Sequence, residues 1–287
     1  MTAGFVLFLS LIAQPQAAVT PRDALAHARL AYNEHRFDDA VAAAAEAGKS
    51  PELADSAAVV LARALLERYH ASDSEHRETS DLDRAREALK SVNAARLSAS
   101  DHVEFLVGLG ESLFFDQPPR YSAAAEMFES ALARAESSPS TARETLFEWW
   151  AEALDREAQS ALEADRKPLY TRILRRAEAE LARDPQSSVA VYWIAAASRG
   201  AEDLERAWGA AIAGWIRAGS LGPRGVTLRD DLDRLVVNVI LPERARQLAP
   251  NGDAQSALTI LKAQWEELKK KWERDSTPLA VVPCPGS

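Results

Sequence analysis

Cysteine is almost absent from this chain, since Cys284 is the only one among 287 residues. A single thiol excludes an intrachain disulfide and a metal site built from cysteine ligands. The five histidines include no pair at the i, i+4 spacing of a helical zinc site. Phosphate-binding glycine loops and GxSxG nucleophile motifs are also missing. We therefore expect no metal, no cofactor and no enzymatic activity.

Positive charge is also scarce, with 34 Lys and Arg against 43 Asp and Glu and a net charge of -9. The arginines alternate with acidic residues and form no basic stripe, so the sequence excludes nucleic acid and anionic lipid surfaces as expected partners. Glycine (12) and proline (14) are few, whereas alanine, leucine, glutamate and arginine are abundant. These residues favour helix, and the sequence predicts an all-α fold. Asp230 and Asp231 are interpreted as residues near a helix start, where the dipole favours carboxylates.

Long hydrophobic runs are missing apart from residues 4–13, which are too few to span a bilayer. Small residues follow at Ala17 and Ala18, as at a signal-peptidase cleavage site. Residues 1–18 are thus predicted to be a signal peptide, although no basic residue comes before Arg22. We expect a periplasmic or secreted protein with no integral membrane span in the mature chain. The alternative is a buried N-terminal helix.

One segment combines two aromatic residues, a polar turn and a small residue. Tyr32 comes before the turn, Phe37 follows it, and the small residue Ala40 stands three positions after Phe37. Similar turns recur along the chain, at Leu82 and Ala85, Tyr121 and Ala124, Tyr170 and Ile173, Leu204 and Ala207, and Gly252 and Ala257. A small residue also stands in the helix before five of these six turns, at Ala28, Ala62, Gly110, Ala195 and Ala245. Such residues allow two helices to cross closely.

This pattern resembles the tetratricopeptide (TPR) repeat, a hairpin of two helices about 34 residues long. The resemblance implies a right-handed α-solenoid of about six hairpins over residues 19–274. Four intervals between the anchor residues are longer than the family's, at 45, 39, 49 and 50 residues, which indicates insertions in the turns. An irregular α-bundle is the alternative.

In this family the first helix of each hairpin lines a concave groove that holds a partner. The resemblance places outward-facing positions in three hairpins, at Arg29, Tyr32 and Asn33, at Glu111 and Phe114, and at Tyr192 and Arg199. Trp149 and Trp150 are neighbours about 100° apart on one helix, so they cannot both point into the same core. Trp150 is therefore added as a candidate binding residue.

The resemblance implies a non-catalytic scaffold that is exported and binds a protein or peptide in its groove. An alternative is a periplasmic carrier of a small ligand, because residues 192–209 loosely resemble TPR-like components of TRAP-type transporters. Such a carrier needs an enclosed apolar cavity, whereas a scaffold needs an open groove.

The last predicted helix covers residues 253–274 and has one apolar stripe, formed by Ala254, Leu258, Leu261, Trp265, Leu268 and Trp272. The stripe is expected to cap the last hairpin, since terminal repeats must cover an exposed core. A second interpretation is that it mediates self-association. Residues 275–287 hold three prolines and are predicted to be a disordered tail.

Overall fold

The computed structural model describes residues 20–72, 79–136, 140–250 and 252–275. These residues are helical or lie in short connections, and none of them forms a β-strand, so the all-α prediction is confirmed. No helix in these ranges is both long enough and apolar enough to cross a membrane. The predicted signal peptide, residues 276–287 of the predicted tail and Cys284 lie outside the described residues.

The helices follow one another with short connections. Their bounds are α1 (Pro21–Asn33), α2 (Phe37–Ala47), α3 (Ala54–Ala71), α4 (Thr79–Ser91), α5 (Ala99–Phe114), α6 (Tyr121–Arg134), α7 (Ser140–Ser160), α8 (Glu163–Arg183), α9 (Ser188–Gly200), α10 (Leu204–Ala218), α11 (Pro223–Leu235), α12 (Leu241–Leu248) and α13 (Ala254–Asp275). A 3₁₀ turn (Ala94–Arg96) lies before α5, and a π-helical turn (Val236–Ile240) joins α11 to α12.

The chain forms two compact units, an N-terminal unit up to Asp101 and a C-terminal unit from His102 onward. In the N-terminal unit, α1 packs on α2, α2 on α3 and α3 on α4, and α1 also contacts α3. Thr20 begins α1 with a capping box, in which its side chain and that of Asp23 satisfy each other's backbone N–H groups. Alanines without solvent exposure, such as Ala28 and Ala62, let these helices approach closely.

The C-terminal unit continues the pattern of neighbour packing. Each helix from α6 to α10 contacts the next, and the alternate helices α7, α9 and α11 contact one another in turn. Gly110 of α5 lies against the ring of buried Phe128 on α6. Gly200 of α9 lies against the Tyr170 ring on α8 in the same way. Small residues therefore allow close helix contacts in this unit too.

The apolar stripe of α13 packs on the last part of the C-terminal unit. Trp265 has no solvent exposure, and its ring lies 5.6 Å from that of Trp208 and 5.3 Å from that of Trp215. Its indole N–H donates to Asp233 at 2.8 Å, and Lys269 donates to the same carboxylate at 2.7 Å. The stripe thus covers the hydrophobic core, as the capping interpretation predicts. Self-association stays a prediction.

One local expectation is corrected. Asp230 and Asp231 were interpreted as residues near a helix start, but α11 begins at Pro223 and both lie in its second half. Pro223 begins the helix instead. Proline is favoured in the first turn, because N–H groups there have no partner within the helix and the missing N–H of proline costs no hydrogen bond. This difference matters for function, because the observed position of Asp231 on α11 lies beside α9 and not at a helix end.

Candidate binding surface

The predicted binding residues of α1 have different environments. Arg29 forms an ion pair with Asp101, with its Nη2 atom 2.7 and 3.0 Å from the two carboxylate oxygens. Tyr32 is half-buried, and its hydroxyl accepts a 2.6 Å hydrogen bond from Arg63. Asn33 is exposed at the end of the helix. The arginine and the tyrosine are therefore held by neighbouring side chains of the N-terminal unit.

Three predicted binding residues of the C-terminal unit are wholly or partly covered by protein. Glu111 and Trp150 are each only 1% exposed, and Trp150 stacks on Phe147 at 6.0 Å. Phe114 is half-buried, with its ring 5.4 Å from that of Trp149. The two α5 positions inferred from the TPR resemblance are thus covered here, and the Phe114 ring contacts Tyr121 of α6 and Trp149 of α7.

Tyr192 and Arg199 lie on one side of α9, two helical turns apart. Ser187 caps the start of this helix, where its hydroxyl accepts a 3.1 Å hydrogen bond from the Ala190 N–H. Small or apolar residues such as Ala195 face the core. Because α9 contacts both α7 and α11, its side chains lie between those two helices. We call this combined face of α7, α9, α11 and α12 the α9 surface.

A cleft of about 380 Å³ surrounds Tyr192 at one end of the α9 surface. Its lining residues are Glu148, Ser188, Val189, Tyr192, Arg224, Thr227, Leu228 and Asp231. Burial raises the pKa of the Tyr192 hydroxyl, and the negative charges of Asp231 and Asp155 raise it further. Tyr192 therefore lies in a negative environment and stays protonated at neutral pH.

Glu148 of α7 is the unusual carboxylate of this cleft. It keeps solvent exposure, yet the surrounding protein raises its pKa, and repulsion by Glu152, Glu144 and Asp231 raises it further. Its neighbours have counterions, since Glu144 pairs with Arg224 at 3.1 Å and Asp231 pairs with Arg234. No described residue forms a hydrogen bond or ion pair with the Glu148 side chain.

A second cleft, of about 600 Å³, surrounds Arg199 at the other end of the α9 surface. The Arg199 Nε atom lies 3.1 Å from both carboxylate oxygens of Glu243 on α12. The Tyr170 hydroxyl donates to Asp155 at 2.8 Å. Burial raises the pKa of Asp155 despite this hydrogen bond. Burial and the negative charge of Asp155 raise the pKa of Tyr170.

The sequence contained a signal for this surface that our prediction missed. Glu144, Glu148 and Glu152 recur every four residues on α7, so their side chains form one acidic line along the helix. Asp231 could not be added to that line from the sequence, because its neighbourhood depends on how α11 packs beside α9.

No protein-family model matches this chain, and no curated protein matches it either. The inference of function therefore depends on the residues and their geometry. Within the described ranges, no three histidine, cysteine or carboxylate side chains are grouped closely enough to hold a metal ion. What the α9 surface offers is a set of carboxylates, a tyrosine and paired arginines at the mouths of two clefts. Such a surface is suited to binding.

Proposed function

We propose that this chain is an exported, non-catalytic scaffold that binds a basic protein or peptide segment on its α9 surface. The observation that carries the proposal is Glu148, an exposed carboxylate without a counterion beside Tyr192 and Asp231. A carboxylate whose pKa is raised by burial and by neighbouring carboxylates gains stabilisation when a cation approaches. A lysine or arginine of the partner would supply that cation.

Tyr192 adds a second element to the recognition of a basic residue. A cation that reaches Glu148 and Asp231 also comes close to the Tyr192 ring, and aromatic faces attract lysine and arginine. The nearby ion pair between Glu144 and Arg224 limits how far the negative charge extends. We therefore expect selectivity for a positioned basic side chain rather than general attraction of cations.

We further propose that the helical hairpins stack as in a right-handed, TPR-like α-solenoid. Contacts between the alternate helices α7, α9 and α11 support this arrangement, because first helices of successive repeats line one side of such a stack. The close contacts at Gly110 and Gly200 support it as well. In this view the α9 surface belongs to the side on which such proteins hold their partners.

The lining of the two clefts favours the scaffold over the carrier of a small apolar ligand. An apolar ligand is bound in a cavity lined mainly by hydrophobic side chains. Charged side chains line both clefts instead, with Arg224 and Asp231 in one and Arg199 and Glu243 in the other.

Export is proposed from the apolar run at residues 4–13 and the small residues after it. The test is to express the full chain in a bacterial host, fractionate the cells and sequence the N-terminus of the recovered protein. We expect removal of about the first 18 residues and recovery from the cell envelope. Retention of residues 1–17 in a cytosolic protein would contradict export.

Binding is tested on an array of short peptides probed with the wild-type protein, followed by affinity measurement on the best peptides. We expect enrichment of lysine and arginine, and a loss of about tenfold in affinity for Glu148→Lys, because a like charge then faces the partner's cation. Glu267→Lys is the matched control, since Glu267 is exposed on α13 and lines neither cleft. Selection of acidic or purely apolar peptides, or equal losses in both variants, would contradict the proposal.

A further inference from the structure

A basic groove of about 830 Å³ runs along α8 and shares no lining residue with either cleft of the α9 surface. Its lining is formed by Glu129 of α6, Trp150 of α7, and Ala164, Lys167, Pro168, Thr171, Arg172, Arg175, Arg176 and Ala179 of α8. Four cations thus face one carboxylate, in a chain whose net charge is -9. This concentration of positive charge distinguishes the groove from the rest of the sequence.

Three of the four cations of the groove are available to an external ligand, whereas Arg176 donates through its Nε atom to buried Glu180 at 2.8 Å. Arg175 is exposed and forms no hydrogen bond or ion pair with any described residue. Lys167 pairs with exposed Glu202 at 3.1 Å, and Arg172 pairs with half-buried Glu129. Ion pairs between exposed side chains are weak, so an incoming carboxylate can replace them at little cost.

Trp150 adds a buried donor to this groove. Its indole N–H has no hydrogen-bond acceptor among the described residues, although the side chain is only 1% exposed. A buried N–H without a partner is costly and therefore unusual. The guanidinium groups of Arg172 and Arg176 lie over the indole, 5.5 and 5.9 Å from a ring centroid. Because this N–H is buried, a carboxylate bound between these arginines would reach it once an arginine side chain moves aside.

The spacing along α8 matches an extended peptide. Arg172 and Arg176 are about one helical turn apart, with a rise of roughly 6 Å, and Lys167 and Arg175 are about two turns apart, with a rise of roughly 12 Å. Alternate residues of an extended chain lie roughly 6.7 Å apart on the same side. The groove from Ala164 to Ala179 is about 22 Å long, enough for about seven extended residues. Pro168 also cannot donate to the Ala164 carbonyl, which leaves a backbone acceptor near one end.

We propose that the α8 groove is a second binding site, for an extended protein segment with acidic side chains on alternate residues. Lys167, Arg172 and Arg175 bind carboxylates of this segment, and Arg175 has no other partner. Arg176 shares the carboxylate that is bound to Arg172. The Trp150 N–H donates to the carboxylate held between Arg172 and Arg176. This proposal does not depend on the α9 surface, and it would give the scaffold a separate site for a partner of opposite charge.

The test uses a fluorescein-labelled peptide of about eight residues, with Glu and Ser alternating, and fluorescence anisotropy with the full chain. The comparison peptide has the same composition with its Glu residues in one block. We expect the alternating peptide to bind at least about fivefold more tightly than the block peptide. Arg175→Glu should weaken binding about tenfold, whereas Lys262→Glu, the same charge change at an exposed site on α13, should not alter it.

The variant Trp150→Phe distinguishes the effect of the N–H donor from the effect of ring packing, because phenylalanine keeps an aromatic ring but has no N–H. We expect an intact helical circular dichroism spectrum and a loss of about fivefold in affinity for the alternating peptide. An unchanged affinity would overturn the role of the indole. Three results would refute the proposed site. The first is equal binding of both peptides, and the second is an equal loss of affinity in Arg175→Glu and Lys262→Glu. The third is tighter binding to anionic lipid vesicles than to the alternating peptide.

Discussion

Adding one methyl group at Gly110 tests the close packing of α5 on α6. A Cβ atom there would lie 2.5, 2.7 and 2.8 Å from three ring carbons of Phe128. Ordinary carbon contacts are about 3.5–4.0 Å, so the ring must move by roughly 1 Å. Phe128 has no solvent exposure, which leaves it little room to move. The Gly110→Ala variant therefore overpacks the core.

The magnitude follows from two opposing effects. Overpacking of a core costs about 1–3 kcal/mol, and this contact belongs at the upper end because the obstacle is a buried ring. Replacing glycine by alanine inside a helix gains about 1 kcal/mol. We expect Gly110→Ala to lower the free energy of unfolding by about 2 kcal/mol.

Gly209 of α10 is the matched control, because it is exposed and a Cβ atom there meets nothing within 4 Å. Gly209→Ala should gain about 1 kcal/mol, so the two variants differ by about 3 kcal/mol. Urea unfolding followed by circular dichroism gives both values, and the midpoints compare the variants directly when the slopes agree. A gain of stability in both variants would refute the close crossing of α5 and α6.

Three further predictions concern the C-terminal unit. Glu148→Gln should raise stability by a few tenths of a kcal/mol at pH 7. The folded-state pKa of Glu148 is raised, so ionisation of this carboxyl group lowers the stability of the wild-type protein at neutral pH. Below about pH 4 the group is protonated in both the folded and the unfolded state, and the stability gained by Glu148→Gln should vanish in melting curves. A gain that does not depend on pH would contradict this. Arg143→Ala breaks a buried pair with Glu180, with contacts of 2.8 and 2.7 Å, and should cost about 3 kcal/mol in urea unfolding. Burial alone would raise the pKa of Glu180, but hydrogen bonds from Arg143 and Arg176 outweigh it and hold the pKa below its usual value. The cost should therefore shrink as pH falls through that lowered pKa, and a constant cost would argue against the pair. Trp265→Ala removes a fully buried indole and should cost about 3–5 kcal/mol, with faster proteolysis within α13; unchanged proteolysis would contradict its role in holding this helix.

Helix positions and close crossings could be predicted from the sequence because they depend on local composition. Ala28, Ala62 and Ala195 were expected at helix crossings, and all three have no solvent exposure. Small residues between large apolar ones give this signal without knowledge of the neighbour. The same signal at Gly110 gave no hint that the ring of Phe128 would fill the space.

The direction in which each side chain points was harder to predict. Trp149 and Trp150 were expected to face different ways, and the structure buries Trp150 while leaving Trp149 half-buried. Adjacent tryptophans are alike in sequence, and the choice depends on helical register and on ring contacts such as that between Phe147 and Trp150. Periodicity alone does not supply those contacts.

The charged contacts of the candidate sites depend on tertiary packing. Arg199 pairs with Glu243 across 44 positions of sequence, and Arg29 pairs with Asp101 across 72. No local pattern relates such residues, because each arginine has many carboxylates in an acidic chain from which to choose. The unpaired state of Glu148 is equally invisible in sequence, since it depends on which neighbours are already paired.

The most direct test of the proposed function is photo-crosslinking in cells that make the full chain. A benzophenone amino acid placed at Tyr192 should capture a protein partner, and the adduct should be lost when Glu148→Lys and Asp231→Lys are added. The same amino acid at Lys262, exposed on α13, should capture no such partner. Equal adducts from positions 192 and 262, or an adduct at 192 that persists after both charge reversals, would contradict partner binding at the α9 surface.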